Sequence, residues 1–283
     1  MLLGGIEAGG TKFVCAVGDE SGKIIAKTSF PTTEPDETLR QVRQFFQQHH
    51  ADAVGIGCFG PVDLDEKSNT YGTILNTPKT KWKQYDILTK LKTDLQIPVS
   101  IDTDVNAAAL GEYLYGAGKD VDSCMYITVG TGIGAGFVHH GKTYIGKSHP
   151  EMGHLLIQQH KDDTFAGNCP YHGNCLEGLA SGPAIEQRYG EKGVELANDV
   201  HVWELEAYYL AQAIMNYFLV LSPERIILGG GVMKQEQLYP RIREKFRELL
   251  NSYLDVENMD KLIVAPELND EQGIRGAMEL LRQ

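Results

Sequence analysis

The chain has 283 residues, enough for about two domains of ordinary size, with 42% hydrophobic and 23% charged residues. Its formal net charge of −12 argues against a protein that grips a nucleic-acid backbone, although backbone N–H groups can still hold an anionic small ligand. No run approaches the about 20 apolar residues that span a bilayer, so no membrane partner is expected. Met1-Leu2-Leu3-Gly4-Gly5 has no basic region ahead of its apolar residues and reads as the start of a strand rather than a secretion signal. With five Cys, an odd number, the expectation is a reduced, cytoplasmic setting without a disulfide framework.

In chain order, Leu2–Ala8, Thr11–Gly18 and Lys23–Phe30 read as three strands joined by turns short enough to force antiparallel pairing. A helix follows, with Thr33 or Asp36 as its cap and Leu39, Val42, Phe45 and Phe46 on one face. Ala53–Phe59 is an apolar strand, 65–84 a polar loop, and the region near Tyr85–Leu95 a helix leading to strand Pro98–Asp102. The next helix starts near Asp104 and runs through Ala107–Leu114. The pattern then restarts: Ser123–Val129, a Gly-rich turn, Ala135–His140, a short turn, and Thr143–Ile145. A long helix (Glu204–Leu221), strand Arg225–Leu228, helix Tyr239–Leu254, strand Lys261–Pro266 and helix Gln272–Leu281 close the chain. Cys15, Cys58 and Cys124 lie in strand-like runs and read as small buried hydrophobes. Two meanders, each followed by alternating helices and strands, predict an α/β fold of two similar halves, each a mixed sheet flanked by helices. The boundary falls near Gly116–Asp120, giving an N-terminal domain over 1–117 and a C-terminal one over 118–271, with the last helix, 272–283, rejoining the first.

Three glycine-rich segments each follow an apolar strand: Glu7-Ala8-Gly9-Gly10-Thr11-Lys12, Gly130-Thr131-Gly132-Ile133-Gly134 and Gly229-Gly230-Gly231. Any one of them could be an ordinary tight turn. Glycine also lets backbone N–H groups approach a phosphate, and Thr11, Thr131 and Lys12 add a hydroxyl, a hydroxyl and a charge. Three such segments at strand ends in two similar halves suggest a triphosphate held between two hairpins. Asp102 and Asp104 lie at a strand-to-helix junction, where a carboxylate can accept a proton in phosphoryl transfer or merely cap the helix. Cys169-Pro170-Tyr171-His172-Gly173-Asn174-Cys175 has Cys-x-x-His-x-x-Cys spacing, and His154 can complete four ligands for a structural Zn²⁺; unrelated loop residues are the alternative.

Over its whole length the chain resembles the ROK sugar kinases of the actin-like ATPase superfamily. Gly5–Lys12 resembles that family's first phosphate loop, Thr128–Gly134 its second, Ile227–Val232 its adenosine segment, and Ala180-Ser181-Gly182-Pro183-Ala184 a further nucleotide-side turn. The resemblance implies two actin-like, ribonuclease-H-like domains with a nucleotide cleft between them. It implies ATP binding through Gly9, Gly10, Thr11, Lys12, Thr131, Gly132, Gly182, Pro183 and Gly229 to Gly231, and makes Asp104 the general base. It places Thr103, Asp104, Glu151, His154 and Glu177 around a hexose, and His154, Cys169, His172 and Cys175 on Zn²⁺ within a loop over 154–175. Glu7 stands where many members have Asp, in an outer-shell role on Mg²⁺. Thr103 stands where glucose-type members have Asn, and the zinc loop is shortened. With Leu75-Asn76-Thr77-Pro78-Lys79-Thr80-Lys81-Trp82, these features resemble the bacterial fructokinase branch. The implied activity is phosphorylation of a hexose, first of all D-fructose to its 6-phosphate, by a cytoplasmic homodimer. Glucose, mannose and N-acetyl sugars stand as alternatives. A non-catalytic sugar sensor and a chaperone-like ATPase are the other rivals. A DNA-binding repressor of the same family would need a helix-turn-helix ahead of a hairpin that here begins at Leu2.

Overall fold

A computed structural model describes residues 1–283. β1 (Leu3–Ala8), β2 (Lys12–Gly18) and β3 (Ile24–Pro31) form the first meander, followed by α1 (Pro35–His49) and β4 (Ala53–Cys58). A two-stranded ribbon of β5 (Thr73–Ile74) and β6 (Tyr85–Asp86) precedes α2 (Ile87–Leu95), β7 (Val99–Thr103) and α3 (Asp104–Tyr115). The sheet order is β3-β2-β1-β4-β7. β1 pairs antiparallel with β2 and parallel with β4, which pairs parallel with β7. The parallel neighbours require long crossovers, and α1 and α2 supply them. β4 is buried at every position, as a strand covered on both faces must be, whereas the edge strand β3 alternates half-buried and exposed residues.

The pattern recurs with β8 (Ser123–Val129), β9 (Ile133–His139) and β10 (Lys142–Thr143). Then come α4 (Leu176–Ala180), α5 (Gly182–Tyr189), α6 (Val200–Leu221), β11 (Arg225–Gly229), α7 (Leu238–Leu250), α8 (Met259–Leu262), β12 (Ile263–Val264) and α9 (Gln272–Glu279). The second sheet runs β10-β9-β8-β11-β12, with β11 parallel to both β8 and β12. The two sheets therefore share one plan, two antiparallel joints followed by two parallel ones. The chain divides into two compact units, Met1–Asp122 with Gly136–Pro150 and Glu267–Gln283, and Ser123–Ala135 with Glu151–Pro266. No helix is long and apolar enough to cross a membrane.

In the first unit, Phe13, Leu39, Val42, Phe46, Ile56 and Trp82 form part of one buried cluster between the sheet and its helices. The apolar face expected for α1 is the buried one, but neither Thr33 nor Asp36 caps it. Glu34 precedes Pro35, which occupies the first turn with its φ already helical and no N–H to satisfy. Thr33 instead gives its backbone N–H to Thr38 Oγ1 at 3.0 Å.

Several other bounds differ from expectation. The third strand of the second meander is Lys142–Thr143, ending before Tyr144. α7 stops at Leu250 because Asn251 takes a left-handed conformation, φ 47°. Most of the expected strand Lys261–Pro266 is the end of α8 and a two-residue strand, Asn258 capping that helix by accepting from Lys261 N.

Glycine sets how closely α9 approaches its neighbours. A Cβ on Gly55 would lie 1.8 Å from the Ala277 carbonyl oxygen, one on Gly276 1.6 Å from that of Ala107, and one on Gly111 2.1 Å from that of Gln272. Backbone meets backbone at these points, so no side-chain rotation relieves the clash. Overpacking typically costs 1–3 kcal/mol, and we expect Gly276→Ala to reach about 3 kcal/mol. Gly231→Ala, with nothing within 4 Å of the added carbon, should stay within about 0.5 kcal/mol. Urea unfolding of both variants checks this; equal stability would show that α9 can shift away.

Candidate active site

β7 ends by delivering Asp102 and Thr103 to the start of α3. Asp102 is only 3% exposed, and its carboxylate accepts three hydrogen bonds. Oδ1 takes Thr103 N at 2.7 Å and Asn106 Nδ2 at 2.8 Å, and Oδ2 takes Thr143 Oγ1 at 2.8 Å. Burial pushes this carboxyl above its usual range and the three donors oppose the shift. Thr103 is the helix cap, its hydroxyl oxygen accepting from Asn106 N at 3.2 Å. Neither carboxylate is therefore the cap. Asp104 is the half-buried first residue of α3, and Val105 N donates to its Oδ1 at 2.9 Å. Gly57 lets α3 pack closely on β4, since a Cβ there would lie 2.7 Å from Ala107 Cβ. Asp102 is thus committed to the junction, and Asp104 follows the cap as the first residue of α3.

The first hairpin closes through Gly9 N donating to Lys12 O at 3.0 Å, and a Cβ on Gly9 would lie 2.8 Å from that oxygen. Thr32 braces it, donating from Oγ1 to Gly9 O at 2.6 Å. Thr11 and Lys12 are exposed at the tip. A Cβ on Gly10 would meet Lys79 Cε at 3.5 Å, so the polar segment around Lys79 lies over this hairpin. Glu7 sits below it, and a Cβ on Gly273 would come 2.9 Å from its Cδ. Burial raises the Glu7 carboxyl above its ordinary value, Lys12 lowers it, and Asp270 raises it. Glu7, Lys12, Lys27 and Asp270 border a cavity of about 330 Å³.

The second hairpin is built alike in its own unit, Gly130 N donating to Gly132 O at 2.9 Å. Gly182 N donates to Gly130 O at 2.8 Å, joining the hairpin to the start of α5. The segment Ala180–Ala184, expected as a turn, ends α4 and opens α5, with Ser181 accepting from Ala184 N and Pro183 in the first turn. Of the three consecutive glycines, Gly229 packs against Tyr126. Gly230 holds φ +91° where a Cβ would lie 2.4 Å from Val129 O, and Gly231 faces open space.

His154 follows Glu151 in a short turn seated against β9, where a Cβ on Gly153 would fall 1.7 Å from Ile133 O. The ligand atoms of His154, Cys169, His172 and Cys175 lie within 4.8 Å of one another. Nδ1 of His154 stands 3.6 Å from Cys169 Sγ and 3.5 Å from Cys175 Sγ, and Nδ1 of His172 stands 3.8 Å from Cys169 Sγ. A tetrahedral zinc with Zn–S of about 2.3 Å and Zn–N of about 2.0 Å separates its ligands by roughly 3.5–3.8 Å. The four residues fit a structural zinc. α4 begins directly after Cys175 and carries Glu177, whose Oε2 accepts from Ile133 N at 3.0 Å. The Glu151 carboxyl is raised by desolvation, lowered by His154 and raised again by Glu177, so these groups sense one another. Cys15, Cys58 and Cys124 are buried, as expected, and burial pushes the Cys58 thiol well up, with Asp104 adding to the shift.

The first unit thus gathers Glu7, Gly9 to Lys12, Thr103 and Asp104, and the second gathers both later glycine segments, the Cys/His cluster, Glu151 and Glu177. Residues 3–283 match the ROK family. The chain belongs to the ROK family. It is 46% identical over 280 residues to a fructokinase of Pediococcus pentosaceus, covering 99% of this chain and 97% of that one. It is 47% identical over 270 residues to a fructokinase of Streptococcus mutans, covering 94% and 92%. Among solved structures, a ROK family glucokinase from Streptomyces griseus in complex with glucose and AMPPNP superposes with a TM-score of 0.80. That match is at 27% identity over the full length of both chains.

Asn106 and Thr143, which hold Asp102, escaped the sequence reading. Nothing in a two-residue strand signals that its threonine meets a carboxylate 41 positions earlier. For the cluster, we expect about one zinc per chain by elemental analysis, and Cys175→Ser to lose zinc and melting temperature together. Zinc-free native protein of unchanged stability would contradict the assignment.

Proposed function

We propose that this chain transfers the γ-phosphoryl group of ATP to the 6-hydroxyl of D-fructose. The observation that supports the reading is the strand-to-helix junction, where three donors hold Asp102 in place and the half-buried Asp104 opens α3 two residues on. Full-length identity of 46–47% to fructokinases, against 27% to a glucokinase, supports fructose over glucose.

Phosphoryl transfer needs a positioned nucleophile and compensation of charge. In this reading Asp104 orients the primary hydroxyl and accepts its proton as oxygen attacks phosphorus in line. Glu151, Glu177 and His154 Nε2 hold sugar hydroxyls; His154 Nδ1 faces the two thiols, which supports that division of its ring. The hairpins at Gly9 to Lys12 and Thr131 to Gly132 direct N–H groups to phosphate, with Gly182, Pro183 and Gly229 to Gly231 on the nucleoside side. Glu7 suits a bridging water on Mg²⁺, its carboxylate buried beside Lys12 and bordering a cavity. When bound, Mg²⁺ would neutralise phosphate charge. The resemblance also carries a homodimer and a cytoplasmic setting into this reading.

A general base contributes about 10²–10⁴-fold, so Asp104→Asn should lower kcat by roughly 100-fold or more with the KM for ATP nearly unchanged. A near-normal kcat would move the base elsewhere. Side-by-side kinetics at saturating Mg²⁺-ATP should give fructose a kcat/KM at least about tenfold above glucose, because a site built for one hydroxyl pattern leaves polar groups unpaired with the other. Equal values would leave a sugar kinase but remove the fructose assignment.

A further inference from the structure

Thr103 occupies the position next to the candidate base, yet its hydroxyl has no proton left to give a sugar. Its side chain is only 3% exposed, and Oγ1 already accepts from Asn106 N at 3.2 Å. The hydroxyl has a single proton to donate. A buried O–H needs an acceptor, and the one within reach is His149 Nδ1 at 3.4 Å.

This contact fixes the imidazole. If Thr103 donates to Nδ1, the neutral ring carries its own proton on Nε2, and the outward edge of His149 is a hydrogen-bond donor. The ring is neutral at physiological pH, since burial lowers its pKa to about 4. Nε2 makes no hydrogen bond within the protein. It also is not among the buried polar atoms lacking a partner, so the N–H borders accessible space. The same network that holds Asp102 therefore orients a donor against Thr103, the neighbour of Asp104 in the chain: Asn106 bonds Asp102 through its side chain and Thr103 through its backbone N–H, and Thr103 bonds His149.

We infer that His149, through its Nε2–H, is a specificity-determining residue for the sugar, supplying the donor contact that Thr103 cannot. This rests on the proposed sugar kinase reading. The group recognised is an oxygen acceptor of the hexose, a hydroxyl or ring oxygen whose position differs between a ketose and an aldose. Thr103 acts as a positioning residue that sets the tautomer of His149.

The test measures kcat and KM for fructose and for glucose with the full-length protein and its His149→Ala, His149→Gln and His149→Asn variants. Loss of one buried donor should raise the fructose KM about tenfold or more in His149→Ala, with kcat and the KM for ATP changed less than about threefold. The glucose KM should change little, so the fructose preference collapses. His149→Gln, whose amide nitrogen falls near the place of Nε2, should recover much of the preference, and His149→Asn, whose amide is too short, should not. In wild-type protein, ¹⁵N NMR of the imidazole should show an unprotonated Nδ1 and a protonated Nε2. A protonated Nδ1 would overturn the inference even if every variant failed to fold. So would a folded His149→Ala protein that keeps the wild-type fructose preference. Wild-type protein that does not phosphorylate fructose would overturn the fructose reading and this inference with it, whereas normal wild-type turnover with an unaffected His149→Ala would overturn the inference alone.

Discussion

The carboxylate of Asp102 is the constraint on which the site depends. A buried carboxylate is tolerated only when hydrogen bonds replace its water. Here the donors come from three places: the backbone at Thr103, the side chain of Asn106 one turn into α3, and Thr143 in β10. Each satisfied donor ties another element to the end of β7. The tie to Asn106 orients the first turn of α3, which puts Thr103 in the cap position and Asp104 at its first residue. A conventional reading of such a junction gives the carboxylate to the cap. In this chain a hydroxyl caps the helix, one carboxylate braces the strand end, and the other is the residue we propose as the base.

Packing supports that junction from behind. β4, α3 and α9 meet backbone to backbone at Gly55, Gly111 and Gly276, where even a methyl group would collide with a carbonyl oxygen. Interiors packed this tightly do not deform continuously, so the residues they present keep fixed positions. In the second unit the Cys/His cluster has the corresponding role. Zinc-compatible spacing of His154, Cys169, His172 and Cys175 holds the turn that carries Glu151 and the start of the helix that carries Glu177. Glu177 in turn holds the backbone of the second hairpin at Ile133. Support of this kind lets flexible carboxylates serve as well-placed ligands.

Much of this was legible in the sequence because it is written in local patterns. Apolar strand-like runs, short turns and glycine clusters located both meanders, and Cys-x-x-His-x-x-Cys with an upstream His located the four residues that cluster as candidate metal ligands. What failed to show was whatever depends on contacts distant in the chain or on one residue's backbone angle. The end of α7 rests on the left-handed Asn251, and the strand expected over 261–266 shrinks to Ile263–Val264 behind a helix capped by Asn258. Ser181 and Pro183 read as a turn, yet they open α5, since Ser and Pro are as apt at a helix start as in a loop. Asp102 and Asp104 are two residues apart and chemically identical. The donors that brace Asp102, Thr143 among them, are brought in by folding.

In the proposed function Asp104 serves transfer to the 6-hydroxyl of fructose. Fructose carries a second primary hydroxyl at carbon 1, so the site of phosphorylation reports how the sugar lies against the base. ³¹P and ¹³C NMR of the products formed from fructose and Mg²⁺-ATP tests this most directly. The account predicts a single phosphomonoester coupled to carbon 6, with one ADP released for each ester formed. Phosphate on carbon 1, or ATP consumed without any sugar ester, would contradict it.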